Sequence, residues 1–330
     1  MTSIKSRRTG SIHSFWSEET KIDNDSQSIG QHETTTTLVS STLPNHFQII
    51  KKVCRRSTES YRDFIKRASS EYCIMSVLSH TNIVNAKDML MKKYHFELVL
   101  NLEDQGIPLS NLIHSSHLDY QQRNYYMYQL LQSIQYLHSL GIGHRDIQLN
   151  NILIMPDHTL KLSNFSSSVV FCEPGQMKKK QSYGKVGLLE YQSPETLSYH
   201  HHHQPLAMKN KKLFSSLLSS QSDQQQIINN NINNDHHPPY WAAELDIWSL
   251  GIVFFYLWEK RFPWSLACSL HDPLFYIYAR SHPIYGPDII PCLQPLPYLP
   301  RQLIYRMLNP DPTTRISISS LLNEYHLLTP

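Results

Sequence analysis

The sequence predicts an α+β fold in two lobes, a small β-rich lobe carrying one long helix and a larger, mainly α-helical lobe after it. Three observations carry this. β-branched and apolar runs, TTTTLV and FQIIKKV, come first in the well-patterned part of the chain. A single long stretch from Glu59 to His80 then places apolar residues at helical spacing, and from Leu118 onward the pattern is predominantly helical. With 330 residues and 40% apolar content, the chain can bury a large core as one two-lobed domain or two small ones.

Taken in order, residues 1–28 are polar, charged and Ser-rich, and read as a disordered tail. The small lobe is expected over 29–105. In FQIIKKV, Lys51 alternates with Ile49 and Val53 on one strand face, although the adjacent Lys52 leaves the register open by one. The following helix is expected to turn Phe64, Ile65, Ala68, Tyr72, Met75 and Leu78 inward, and YHFELVLNL reads as another strand. The larger lobe is expected over 106–330. Its first long helix, YYMYQLLQSIQYLHSLG, stops at Gly141. A His-, Gln-, Asn- and Ser-rich tract over about 200–239 interrupts this lobe and reads as a surface insertion. Its four consecutive histidines lack the carboxylates that orient imidazole ligands on a metal, so they are read as part of that insertion.

Charge and cysteine usage narrow the function. A formal net charge of +3 is too small to argue for nucleic acid, and the short basic runs KSRR and KKK read as solvated surface. The five cysteines show no CxxC spacing, which argues against a disulfide framework or a zinc site and for a reducing cytosol or nucleus. The start lacks the apolar stretch of a secretory signal. The longest apolar run, IWSLGIVFFYLW, is too short to span a bilayer, so no transmembrane segment is expected.

Five short signals occur in a telling order: QIIK ending at Lys51, SSEYC containing Glu71, HRDIQLNN from His144 to Asn151, SPE from Ser193 to Glu195, and DIWSLG from Asp246. DPTTR closes the series at Arg315. Together they resemble the eukaryotic-type Ser/Thr protein kinases, and the resemblance runs from about Ile29 to the end. Within them, ESYRDFIKRASSEYCIMSVLSHTNIV and DPLFYIYAR resemble the fungal halotolerance and nitrogen-permease-reactivator kinases, which regulate plasma-membrane transporters.

The resemblance implies a role for each matching residue. Lys51 would hold ATP phosphates, positioned by an ion pair with Glu71. Asp146 would be the base that accepts a substrate hydroxyl proton, and Asn151 would ligate magnesium. Gly30 would be what remains of the glycine-rich phosphate loop. Asp246, Glu195 and Arg315 would be scaffold.

The same resemblance exposes departures. Asn164 stands where the metal-binding Asp belongs and Ser166 where its Gly belongs, in SNFSS. Gln148 replaces a lysine, Leu188 a Thr or Ser, and GQHETTTT keeps only Gly30 of three glycines. Pro108 lies near the place of the ribose-binding acid, for which Glu103 or Asp104 are alternatives, and Ile49 is larger than the Ala usual in the adenine pocket. At an effective dielectric near 20, a unit-charge pair at about 4 Å is worth roughly 4 kcal/mol, and a divalent ion doubles it. Losing even half of that from the transition state slows transfer about a thousandfold.

These losses cluster on the nucleotide and spare the frame. The expectation is a pseudokinase with weak or absent ATP binding and doubtful Mg2+ use. It would act on a protein partner, an active kinase among the candidates, as an allosteric partner or scaffold. The alternatives are an active Ser/Thr kinase using Asp146 as base, and a switch that binds ATP without metal and transfers nothing.

Overall fold

The computed structural model describes residues 34–40, 47–104, 106–173, 180–184, 186–197 and 239–328, with backbone alone for 34–40, 47–48 and 326–328. Gly30, the tail over 1–28 and the tract over 200–238 lie outside the described residues. Glu33–Pro330 form one compact unit.

A four-stranded antiparallel sheet builds the first lobe, in the order β1–β2–β4–β3, from β1 (Thr34–Ser40), β2 (Phe47–Cys54), β3 (Ala86–Met91) and β4 (His95–Leu100). The alternation read in FQIIKKV is realised. Ile49, Lys51 and Val53 are buried on one face, while Ile50 and Lys52 are half-buried on the other.

Helix α1 (Tyr61–Val77) begins at Ser60, whose Oγ accepts the Asp63 N–H at 3.1 Å and so satisfies one of the helix's unpaired first-turn donors. Its inner face is Phe64, Ala68, Glu71, Ile74 and Met75. Ile65, expected inward, is 37% exposed. The stripe advances by fours and threes from Phe64, and Ile65 falls beside it, whereas Ile74 falls on it.

β3 was not anticipated. At the sheet edge it buries only Ala86 fully, so its sequence carries no alternation for pattern reading to find.

After the short β5 (Ile107–Pro108) and α2 (Leu109–Ser115), α3 (Tyr120–Ser139) opens with a reciprocal cap. Asp119 Oδ1 accepts the Gln122 N–H at 2.8 Å, and Gln122 Oε1 accepts the Asp119 N–H at 3.0 Å. Gly141 ends this stretch with φ of +70°, and a Cβ there would lie 1.9 Å from the Cys172 carbonyl oxygen, so only glycine fits.

The short strands β6 (Ile142–Gly143), β7 (Ile152–Ile154), β8 (Leu160–Leu162) and β9 (Val169–Val170) carry the loops of the site, and α4 (Pro194–Leu197) follows them. Helix α5 (Ala242–Glu259) holds the longest apolar run. It is buried all round from Leu245 to Leu257, the signature of a central core helix. α6 (Pro273–Ser281), α7 (Tyr298–Met307) and α8 (Ile318–Leu328) complete the second lobe, with α7 packed on α5 and α8 on α3. Among the described residues, no helix is long and apolar enough to cross a membrane.

Candidate functional site

Strand β2 and helix α1 bring the first candidates together. Lys51 is 6% exposed, and its Nζ donates to Glu71 Oε1 at 2.6 Å. Lys52 lies opposite Glu97 on the other face of the strand, which decides the register between the two lysines. A lysine and a glutamate this deep hold each other in place, since either alone would be an uncompensated buried charge.

The loop after β6 presents His144, Arg145 and Asp146. Asp246, from α5 and fully buried, receives the backbone N–H of His144 at 2.8 Å and of Arg145 at 2.7 Å, and Nε2 of His138 lies 3.0 Å from it. Those bonds hold Arg145 in the left-handed region at φ 63°, a conformation that costs a non-glycine residue on the order of 1–3 kcal/mol. His144 Nε2 donates to the Ser163 carbonyl at 3.0 Å, and its Nδ1 accepts the Asp146 N–H at 3.3 Å, an arrangement only the neutral imidazole can make. Burial pushes the His144 pKa below its ordinary value, against the opposing pull of the Asp246 and Asp146 carboxylates.

Around Asp146 the side chains close into a network of amides. Gln148 Nε2 donates to Asp146 Oδ1 at 2.7 Å, and Asn151 Nδ2 donates to Asp146 Oδ2 at 2.9 Å and to its carbonyl at 2.7 Å. Asn164, two residues past β8 with φ of 67°, places Nδ2 at 3.1 Å from Asn151 Oδ1 and 3.4 Å from Asp146 Oδ2. Its Oδ1 accepts from Lys51 Nζ at 2.8 Å and from Ser166 Oγ at 2.9 Å. The partners fix the orientation of this amide. An ammonium only donates and a carboxylate only accepts, so turning Asn164 over would set like against like on both sides. The resulting chain runs Glu71, Lys51, Asn164, then Asp146 and Asn151, then Gln148, and it spans both lobes.

A magnesium ion does not fit this arrangement. Mg2+ takes oxygen donors in near-octahedral geometry, usually one or two carboxylates with phosphate and water. Here the Asn164 oxygen faces Lys51 and its N–H groups face Asp146 and Asn151, so a cation between Asp146 and Asn164 would meet amide protons. Asn151 and Asn164, the expected metal ligands, are joined here by the bond from Asn164 Nδ2 to Asn151 Oδ1. Among the described residues, no group of three or more His, Cys, Asp or Glu is placed to hold a metal ion.

Leu188 is 43% exposed and has no hydroxyl to offer Asp146. The preceding Gly187 has φ of +73°, and a Cβ there would come within 3.0 Å of Asp146 Oδ1. Pro108 stands at the residue before α2 and makes no side-chain cap, Asp104 Oδ1 is engaged by the Gly106 N–H at 2.8 Å, and Ile49 is 1% exposed in the core of the small lobe.

Arg315 grips both oxygens of Glu195, at 2.7 and 2.9 Å, and also donates to the carbonyls of Glu244 and Asn309. Its guanidinium lies 5.0 Å from the Trp248 ring. Sequence reading did not find His138, Ser166 as a partner of Asn164, or Tyr240, which bonds Arg145; their partners lie 108, 2 and 95 positions away. Only Ser166 sat inside a motif that could have drawn attention to it.

Comparison with known proteins places this geometry in context. A family model described as protein kinase domain matches residues 25–208. The probable serine/threonine-protein kinase RTK1 of Saccharomyces cerevisiae is 28% identical over 272 residues, 81% of this chain and 37% of that protein. The serine/threonine-protein kinase HAL4/SAT4 of the same yeast is 26% identical over 279 residues, 83% of this chain and 39% of that protein. Its nitrogen permease reactivator protein is 28% identical over 224 residues, 68% and 23% respectively. The chain thus spans well under half the length of these relatives.

Proposed function

We propose that this chain, which belongs to the protein kinase domain family, acts by binding rather than by turnover. On this reading it is a pseudokinase with weak or no phosphotransfer, serving as an allosteric partner or scaffold for a signalling protein, an active kinase among the candidates. One observation carries the reading. Asn164 gives its oxygen to Lys51 and its N–H groups to Asp146 and Asn151, so the residues that would gather metal and phosphate are paired with one another. Gln148 adds a neutral donor where the developing charge of a phosphoryl group calls for a cation. The cysteine usage favours a reducing compartment, the cytoplasm or nucleus.

The test is thermal stabilisation by ATP with and without Mg2+ or Mn2+, followed by a radiolabel transfer assay. Little metal-dependent stabilisation and no transfer are expected. Strong Mg2+-dependent binding with robust, Asp146-dependent phosphorylation would overturn the reading.

A second reading, an active Ser/Thr kinase with Asp146 as base, draws on the intact frame: the Lys51–Glu71 pair at 2.6 Å and the loop held by Asp246. Asp146→Ala separates the two. A binding protein keeps its partner and its cellular role in this variant; an enzyme loses its role while still folded.

A further inference from the structure

Arg145 and Tyr240 make a contact that the amide network does not involve. The Arg145 guanidinium donates to neutral oxygens from three separate stretches: Ser167 carbonyl at 2.6 Å, Tyr240 hydroxyl at 3.0 Å and Tyr183 carbonyl at 3.4 Å. Among the described residues, no carboxylate pairs with it. Tyr240 is 2% exposed and reaches the same segment twice more. Its backbone exchanges two hydrogen bonds with Ser182, at 2.8 and 3.0 Å, and its hydroxyl donates to the Gly184 carbonyl at 3.3 Å.

A phenolic hydroxyl has one proton and two lone pairs, and here it donates to Gly184 while accepting from Arg145. Phenylalanine would fill the same space but leave that guanidinium N–H and that carbonyl without this partner. Arg145 is fixed at its other end by the bond of its backbone N–H to Asp246, and Asp246 belongs to α5, whose first turn follows Tyr240 directly. The contacts therefore close a loop: Tyr240 to Arg145, Arg145 to Asp246, Asp246 back along α5 to Tyr240.

We propose that Tyr240 is a positioning residue, a clasp that holds residues 180–184 against the His144–Asp146 loop without any bound ligand or added charge. The segment is then held in place before anything binds, and any use of it rests on the binding function proposed above. Unlike that function, the clasp requires neither nucleotide nor partner to observe.

Hydrogen exchange at residue resolution, on purified protein shown by mass to be unphosphorylated, tests it. The readout is exchange at Ser182 and Tyr240 relative to exchange in the centre of α5, so that any global loss of stability cancels. The wild-type protein is expected to protect both amides. Tyr240→Phe should accelerate them by about tenfold relative to α5, the behaviour of a local opening rather than a global one. Arg145→Lys, which keeps the charge but loses the forked donor, should do the same. Relative exchange in Tyr240→Phe within about twofold of wild type would overturn the proposal. Protection of Ser182 that appears only after phosphorylation would overturn it as well. Either failure leaves the ATP and transfer assays unaffected, so the clasp and the binding function fail independently.

Discussion

At the scale of single residues, the two ends of the Asn164 amide separate one cation from one anion. Replacing it with Asp puts a carboxylate where an N–H group lies 3.4 Å from Asp146 Oδ2 and removes the donor to Asn151 Oδ1. Lys51 would then face Glu71 and the new carboxylate together. Asn164→Asp is therefore expected to destabilise the ligand-free protein by about 1–3 kcal/mol, the usual cost of a stranded buried polar group. Millimolar Mg2+ should restore the loss, and Mg2+-dependent stabilisation by ATP should appear. A melting temperature insensitive to Mg2+ in this variant would count against the network. Transfer should stay poor until Gln148→Lys and Leu188→Thr are added, since Gln148 lies 2.7 Å from Asp146 and a lysine there would bring the missing cation. If the triple variant binds no nucleotide at all, the block lies elsewhere, with Ile49 as the first suspect.

Between elements, Arg315 ties α4 to α5 and to the loop before α8. Its side chain is fully buried against Glu195, so truncation leaves a carboxylate that is only 15% exposed without its partner. Arg315→Ala should cost roughly 3–5 kcal/mol, read as a lower urea midpoint at unchanged m-value. An unchanged midpoint would show the pair to be ornamental. The start of α1 offers a smaller test. Ser60→Ala removes the acceptor for the Asp63 N–H and should cost about 1 kcal/mol, without altering the Lys51–Glu71 contact about three turns further on.

For the molecule as a whole, three imidazoles drawn wholly or partly into the fold are expected to cost stability in acid. Burial lowers the pKa of His80, His144 and His282; nearby Lys161 adds to this at His80, while the Tyr305 carbonyl opposes it at His282. In the unfolded chain these groups return to their ordinary value near 6.5 and take up protons that the folded chain refuses. The unfolded state thus binds more protons below about pH 6.5, and stability rises with pH through that window. Stability read from urea unfolding should fall between pH 7.5 and 5.5, by at most about 1.4 kcal/mol over that whole window for each imidazole that titrates only when unfolded. A midpoint flat across this range would mean that these histidines are protonated in the fold.

The sequence by itself determined what local patterns encode. Alternation in FQIIKKV set Lys51 inward, apolar spacing set α1 and α3, and the order of short motifs picked out Lys51, Glu71, Asp146, Asn151, Asn164, Asp246, Glu195 and Arg315. It misplaced Ile65 and missed β3, where half-burial at an edge leaves no periodicity. What only the tertiary structure decided is direction and partnership. Asn164 is a neutral residue at a charged position in the sequence; in the fold its oxygen points at Lys51 and its N–H groups at Asp146. Tyr240 is an ordinary tyrosine in the sequence, yet it meets an arginine 95 positions away. Hydrogen bonds depend on the orientation of groups brought together from distant parts of the chain, and a linear pattern carries composition and spacing but no orientation.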